Sequence, residues 1–326
     1  MDTNENFKDR IGLSPLQEKV EELKKEISKV IVGQENMIEL LIVAVLSNGH
    51  VLLEGVPGIA KTLTVKLLAK LFSVDFSRIQ FTPDLMPSDV TGTTVFNAGS
   101  SKFEFSEGPI FSNLVLIDEI NRAPAKTQSS LFEVMEERQV TVDGNTYTMK
   151  EPFLVFATQN PLEHEGTYRL PEAQLDRFLF KINITYPSLD EEYLILRNMH
   201  NRKEKHELEN ISEILKANEL IDFQKQVKLV HVEENLLKYI SEIVNKTRSH
   251  SSLYLGASPR ASINTLLASK AYAAMHGRDY VIPEDVKAVL APVLIHRIYL
   301  TPEKELEGAT EEQMVADIIN SVEIPR

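Results

Sequence analysis

Residues suited to work together on a polyphosphate fall in three short stretches. The first is Gly55-Val56-Pro57-Gly58-Ile59-Ala60-Lys61-Thr62. In a glycine-bearing turn that enters a helix, backbone N–H groups converge on phosphate oxygens, and the helix dipole favours the same charge. In such a loop the lysine, Lys61, reaches the β- and γ-phosphates, and the hydroxyl of Thr62 binds Mg²⁺. The second stretch is Asp118-Glu119, at the end of an apolar run. A carboxylate there can help hold Mg²⁺, and its neighbour can orient or activate an attacking water. The third is Thr158-Gln159-Asn160, where Asn160 offers a neutral donor to the same water or to the γ-phosphate. Taken singly these are weak signals: a Gly/Pro turn before a chance Lys-Thr, an acidic strand end, and an Asn-Pro turn. One position departs from the usual loop, because Ala60 stands where a second glycine is normal. Alanine lacks glycine's freedom at positive φ, so the loop is expected to be nearly helical there.

These residues need a frame that brings strand ends together. His50 to Glu54 is an apolar run that reads as a buried strand, and Leu63 to Leu71, behind the loop, reads as a helix. Ser77 to Phe81, Leu114 to Asp118, Phe153 to Thr158 and Phe178 to Ile182 read as further strands, with a helix over Lys126 to Glu137. Continuous apolar strands alternating with helices predict a parallel sheet covered on both faces, an α/β fold. Two hairpins interrupt it. Thr93 to Phe96 and Lys102 to Phe105 alternate around Asn97 to Ser101. Gln139 to Val142 and Thr146 to Met149 flank Asp143-Gly144-Asn145, the stronger turn signal.

Ahead of the sheet, Met1 to Gly12 reads as a loose tail. Ser14-Pro15-Leu16-Gln17 starts a helix with Ser14 as cap. Ile31-Val32-Gly33-Gln34 breaks it, and Glu35 to Ser47 forms a second, buried helix. From Pro187 the pattern becomes helical. Ser188 with Glu191 caps a helix running to Arg202, Val232 to Arg248 is amphipathic, and Ser258-Pro259, Pro283 and Thr310 open the rest. The expected division is therefore a core over 1–187 and a helical domain over 188–326.

A chain of 326 residues with 43% hydrophobic content can bury a sizeable core. A net charge of −13 argues against nucleic acid as a partner. The lack of cysteine excludes a disulfide framework and a thiolate metal site. The acidic start lacks a signal peptide's apolar core, and the longest apolar run, Leu40 to Leu46, is too short for a membrane span. A cytoplasmic protein is the expectation. Two arginines stand out. Arg177, before the last strand, reads in the ordinary way as a solvated residue or one paired with Glu172 or Asp176. Arg260 lies in the first turn of a helix, where a cation opposes the dipole and calls for an anionic partner.

In this order the motifs resemble the AAA+ ATPases and, within them, the MoxR family. The match runs from Ile31 to Arg260 through the loop at Gly55, Asp118-Glu119-Ile120-Asn121-Arg122-Ala123-Pro124, Phe156 to Pro161, Leu170 to Phe178 and Gly256 to Ala261. The variant Ala60 fits that family's loop. The resemblance implies a P-loop sheet core with hairpin insertions and a helical lid, acting on ATP with Mg²⁺. It implies that Gly55 to Thr62 and Leu63 hold nucleotide with Lys61, that Thr62 and Asp118 address the metal, and that Glu119 and Asn160 are catalytic, the latter as sensor 1. It makes Arg177 an arginine finger offered to the next subunit and Arg260 the sensor 2 of the lid. Ile31, Val32, Gly33 and Gln34 lie where the family flanks adenine. The hairpins look like the helix-2 insert and the pre-sensor-1 hairpin. Implied partners are further copies in a ring, usually a hexamer, a client protein, and a separate von Willebrand factor A domain protein. The implied role is chaperone-like remodelling in the maturation or assembly of partner proteins. The alternative is the ATPase subunit of a magnesium-chelatase-like complex. A ring-helicase fragment is disfavoured by the charge, and a non-catalytic nucleotide switch would have no use for Glu119 and Asn160.

Overall fold

The computed structural model describes residues 12–161, 167–201 and 211–325. The tail expected over Met1 to Gly12, save Gly12, and the helix end at Arg202 lie outside them. Two compact units are formed, one from Leu23–Leu41 and Asn48–Ile221, the other from the chain up to Glu22, Ile42–Ser47 and Asp222 onward. The amides of Ile214 and Leu215 donate to the carbonyl of Leu71 at 2.8 and 3.1 Å, which ties chain beyond 187 to the sheet's own unit.

In chain order, helices α1 (Ser14–Ile27) and α2 (Glu35–Leu46) precede strand β1 (Val51–Glu54), helix α3 (Lys61–Leu71) and strand β2 (Phe76–Gln80). A short helix α4 (Pro87–Thr91) leads into hairpin β3 (Gly92–Asn97) and β4 (Lys102–Glu107), then strand β5 (Leu114–Asp118) and helix α5 (Ala125–Glu137). Hairpin β6 (Gln139–Val142) and β7 (Asn145–Thr148), strand β8 (Leu154–Gln159), helix α6 (Glu172–Leu175), strand β9 (Phe180–Asn183), helix α7 (Leu189–Asn201) and helix α8 (Ala217–Lys228) follow. The short α4 and α6 and the longer α8 are absent from the sequence reading.

The sheet runs in the order β2-β5-β8-β1-β9 with every neighbouring pair parallel. All five residues of β5 are buried, as are Leu154 to Thr158 of β8, which is why these strands are continuously apolar. Register then fixes the chemistry. Gln80 lies opposite Asp118, Ile117 opposite Ala157, and Leu53 opposite Thr158. Gln80, Asp118, Thr158 and Leu53 therefore share one row at the C-terminal edge of the sheet. In open α/β sheets ligands sit outside that edge.

The β6–β7 hairpin is tighter than the sequence suggests. Asp143 and Gly144 take φ of 50° and 78°, and Asn145 already pairs with Val142. Positive φ at both central residues makes the two-residue turn whose twist matches the strands.

At the opposite edge, His50 is buried and held on both nitrogens. Its Nδ1 accepts from the amide of Val155 at 2.9 Å, and its Nε2 donates to the carbonyl of Met135 at 3.1 Å. Burial, with the Arg138 guanidinium beside it, lowers its pKa to about 3, against a smaller raising effect of the Met135 bond. The unfolded chain takes up a proton below pH ~6.5 and the folded chain does not, so stability falls as pH falls toward 3, by about 1.4 kcal/mol per unit. In urea unfolding, His50→Gln, which can keep both bonds, should lose this part of the pH slope between pH 7 and 5. An unchanged slope would assign the acid sensitivity elsewhere.

The second unit continues with helix α9 (Glu234–Ser249), strand β10 (Leu253–Leu255), helices α10 (Pro259–Met275) and α11 (Pro283–Leu294), strand β11 (Tyr299–Leu300) and helices α12 (Pro302–Leu306) and α13 (Glu311–Asn320). Alanines 261, 268, 271, 273 and 274 of α10 are buried, and their small side chains permit close packing. Arg278 grips the buried Asp285 with two bonds of 2.6 and 2.5 Å, while Asp285 also accepts from the amide of Ile282 at the start of α11. A Cβ on Gly256 would lie 2.6 Å from Cα of Arg248, so only glycine lets the chain run against the end of α9 before turning into α10. Among the described residues no helix is long and apolar enough to cross a membrane.

Candidate nucleotide site

The loop between β1 and α3 starts at Gly55, whose amide donates to Gln159 O at 3.3 Å. A Cβ on Gly55 would meet Ile59 Cδ1 at 2.5 Å and the carbonyl of Ile184 at 2.8 Å, so the side chain of Ile59 occupies the space that glycine leaves. Val56 is half-buried, and Pro57 and Gly58 form the exposed crest, with Gly58 at φ 87°. Ala60 is left-handed, at φ 61° and ψ 17°, which corrects the nearly helical expectation. Left-handed geometry costs a non-glycine residue about 1–2 kcal/mol. It is imposed because successive N–H groups must point into one concavity, and that arrangement alternates handedness. The first amides of α3 have no partner within the helix, and a polyanion is their natural acceptor. Lys61 crosses the loop and donates to the carbonyl of Gly55.

A cavity of about 390 Å³ opens beside this loop. Pro57, Gly58, Ala60, Lys61, Thr62 and Leu63 line one side. Asp118, Glu119, Thr158 and Asn160 line the other, with Arg78 and Gln80 from β2. Asp118 is 6% exposed. Its Oδ1 accepts from Thr158 Oγ1 at 3.2 Å and its Oδ2 from Arg78 Nε at 2.6 Å. The hydroxyl of Thr62 stands 3.4 and 3.5 Å from the two carboxylate oxygens. Glu119 is left-handed, at φ 57°, which turns the chain sharply just after β5. Its amide donates to Thr158 Oγ1 at 3.0 Å, and its carboxylate receives Arg122 Nε at 2.8 Å. Asn160 is 8% exposed and aligned by the end of β8.

Asp118 and Thr62 are hard-oxygen donors on facing elements. They fit Mg²⁺, which typically takes one or two protein oxygens and completes its shell with water and substrate phosphates. Among the described residues no group of three or more His, Cys, Asp or Glu gathers into an all-protein metal cage.

Other sequence-derived candidates lie outside the cavity lining. Ile31 is buried, and Gln34, at φ 59°, donates from Nε2 to the carbonyl of Thr185 at 3.0 Å. Because the amide of Ile184 donates to Glu54 O, the Ile31-Val32-Gly33-Gln34 bend sits at the same sheet edge as the loop. Arg177 is at the other edge, where the amide of Leu179 donates to His50 O at 2.8 Å. Its Nη1 donates to Phe132 O at 2.7 Å and lies 3.6 Å from Glu136, a partner the sequence did not suggest. Arg260 belongs to the other compact unit, in the first turn of α10, with its amide donating to Ser258 Oγ at 3.2 Å.

Arg78 and Gln80 are the cavity residues that sequence reasoning missed, and Thr158, named only as part of its stretch, had no role assigned. The spacing of Arg78 and Gln80 puts both on one face of β2, but only strand register shows that this face meets Asp118.

Residues 50–180 match the ATPase family associated with various cellular activities (AAA), and residues 245–318 match the AAA lid domain. The chain is 49% identical to the uncharacterised protein YeaC of Bacillus subtilis (strain 168), over 92% of this chain and 93% of that one. It is 45% identical to chaperone MoxR1 of Mycobacterium tuberculosis, over 92% and 81%. A crystal structure of a candidate ATPase from Cytophaga hutchinsonii superposes with a TM-score of 0.89 at 44% identity, covering 96% of this chain and 97% of the other. With these relatives, a nucleotide-binding loop at the end of β1 and an acidic pair at the end of β5, the chain belongs to the MoxR family of AAA+ ATPases.

Proposed function

We propose that the chain hydrolyses ATP with Mg²⁺ and uses the cycle to remodel partner proteins. The observation that carries this reading is the meeting of Lys61, Thr62, Asp118, Glu119 and Asn160 around one cavity at the C-terminal edge of the sheet. The loop amides and Lys61 hold and neutralise the phosphates. Thr62 and Asp118 hold Mg²⁺, which when bound neutralises charge on the β- and γ-phosphate oxygens. Glu119 orients and activates the attacking water, and Asn160 donates to that water or to the γ-phosphate. The bend at Ile31 to Gln34 flanks the adenine.

Copies associate as a ring, six by family habit, with Arg177 reaching the neighbour's nucleotide and Arg260 acting from the helical lid on the core. The relative named chaperone MoxR1 supports a chaperone-like role, which we extend to maturation or assembly of partner proteins. Client and von Willebrand factor A domain partner are separate proteins. A magnesium-chelatase-like role has weaker support: 25% identity over 62% of this chain to a chelatase subunit homologue of Methanocaldococcus jannaschii.

Phosphate release by the purified full chain tests the reading. Turnover of ATP should require Mg²⁺, and Asp118→Asn should lower kcat/KM by about 100-fold or more, the scale set by removing one transition-state stabilising group. Mg²⁺-independent turnover, or an active Asp118→Asn chain, would overturn it.

A further inference from the structure

Asp118 already has a cationic partner that belongs to no motif. Arg78 projects from the edge strand β2 into the cavity, its Nε 2.6 Å from Asp118 Oδ2. Its Nη2 lies 3.4 Å from Gln80 Oε1, and that bond holds the guanidinium plane toward the end of the sheet. The two members differ in freedom: the Asp118 side chain is 8% exposed and the Arg78 side chain 47%. Thr158 and Glu119 fix the carboxylate end of the pair, since Thr158 Oγ1 donates to Asp118 and accepts from the amide of Glu119. Arg78 is the member able to swing away.

We infer that Arg78 is an exchangeable counter-ion of Asp118 that opposes Mg²⁺ at this carboxylate and thereby sets how much Mg²⁺ the nucleotide site needs. The inference rests on the reading of Asp118 as the metal's carboxylate. Thr62 stands 3.4 Å from the same Oδ2 that Arg78 engages, so a cation held between Thr62 and Asp118 shares that oxygen with the guanidinium. Two positive charges at one carboxylate repel, and a buried carboxylate does not dissipate the repulsion as bulk water would. Arg78 also keeps Asp118 compensated, which limits the penalty of a buried lone charge. A neutral residue at position 78 removes the competitor and leaves the carboxylate in want of a cation.

The experiment follows release of a fluorescent ADP analogue, mant-ADP, from the full chain as Mg²⁺ is raised, and reads the Mg²⁺ concentration that slows release half-maximally. No hydrolysis is involved. Arg78→Gln should lower that concentration about tenfold, the scale of removing one unit charge a few ångströms away. Arg78→Lys, which keeps the charge, should stay near the native value and separates charge from fold. Asp118→Asn should raise it. An unchanged or raised value in Arg78→Gln, with Asp118→Asn behaving as expected, overturns the counter-ion role. An Asp118→Asn chain with native Mg²⁺ dependence overturns the metal-site reading itself.

Discussion

Glu119→Gln should abolish ATP turnover and leave nucleotide affinity within a few-fold of the native value, whereas Lys61→Ala should weaken binding first. The contrast comes from where each side chain stands. Lys61 crosses the loop, and in the proposed site it would serve bound phosphate in ground and transition states alike. Losing a charged partner of a phosphate costs about 1.5–3 kcal/mol, or roughly 10- to 150-fold in affinity. Glu119 lines the cavity wall across from the loop and is braced by Arg122, a place from which it can act on water without holding phosphate. A general base contributes about 10²- to 10⁴-fold, and Gln keeps its shape while removing its basicity. Binding curves with mant-ATP and phosphate-release rates on the same preparations separate the two effects. Comparable loss of affinity in both variants would assign Glu119 to binding and remove it from the chemistry.

Arg177→Ala and Glu119→Gln chains should each be nearly inactive alone, and mixing them should restore part of the activity. Leu179, two residues after Arg177, bonds to His50 at one end of β1, and the phosphate loop starts at the other end. At about 3.3 Å per residue that separation is roughly 16 Å, beyond the reach of an arginine side chain within one subunit. The ion pair with Glu136 is long, at 3.6 Å, and both side chains are about a third exposed, 30% and 36%. Such pairs are worth at most about 1 kcal/mol. Leaving Glu136 for a neighbour's phosphate therefore costs Arg177 little, and the main bond it gives up is the one to Phe132 O at 2.7 Å. In the proposed head-to-tail ring that surface would face the next site. A supplied arginine is worth about 10³-fold or more in phosphoryl transfer. In mixed rings some interfaces join a good site to a good finger. Absence of recovery despite demonstrated co-assembly would leave Arg177 a structural residue bound to Phe132 and Glu136.

Motif residues were legible in the sequence because their spacing is local. A glycine-bearing loop between an apolar strand and a helix, and an acidic pair after another apolar strand, need no knowledge of neighbours. Arg78 and Thr158 were not legible, because their role comes from which strands lie side by side: β5 sits between β2 and β8, although β3 and β4 intervene in the chain. Ala60 shows a different limit. Steric preference predicts a helical alanine, yet the loop's converging amides demand φ 61°. The ordinary alternative for Arg177 named acids near it in sequence, Glu172 or Asp176, whereas α5 presents Glu136 and the Phe132 carbonyl. The hairpins, whose signals are turn residues between alternating runs, appeared where expected, with the second turn shortened to Asp143-Gly144.

The proposed mechanism requires that this cavity bind ATP and that Glu119 activate the water that cleaves it. The most direct measurement is the identity of the nucleotide retained by Glu119→Gln after incubation with Mg²⁺ and ATP and rapid desalting, read by chromatography of the released nucleotide. Retained ATP is expected, against ADP on the native chain treated in the same way. ADP on the Glu119→Gln chain, or no nucleotide on either, would contradict it.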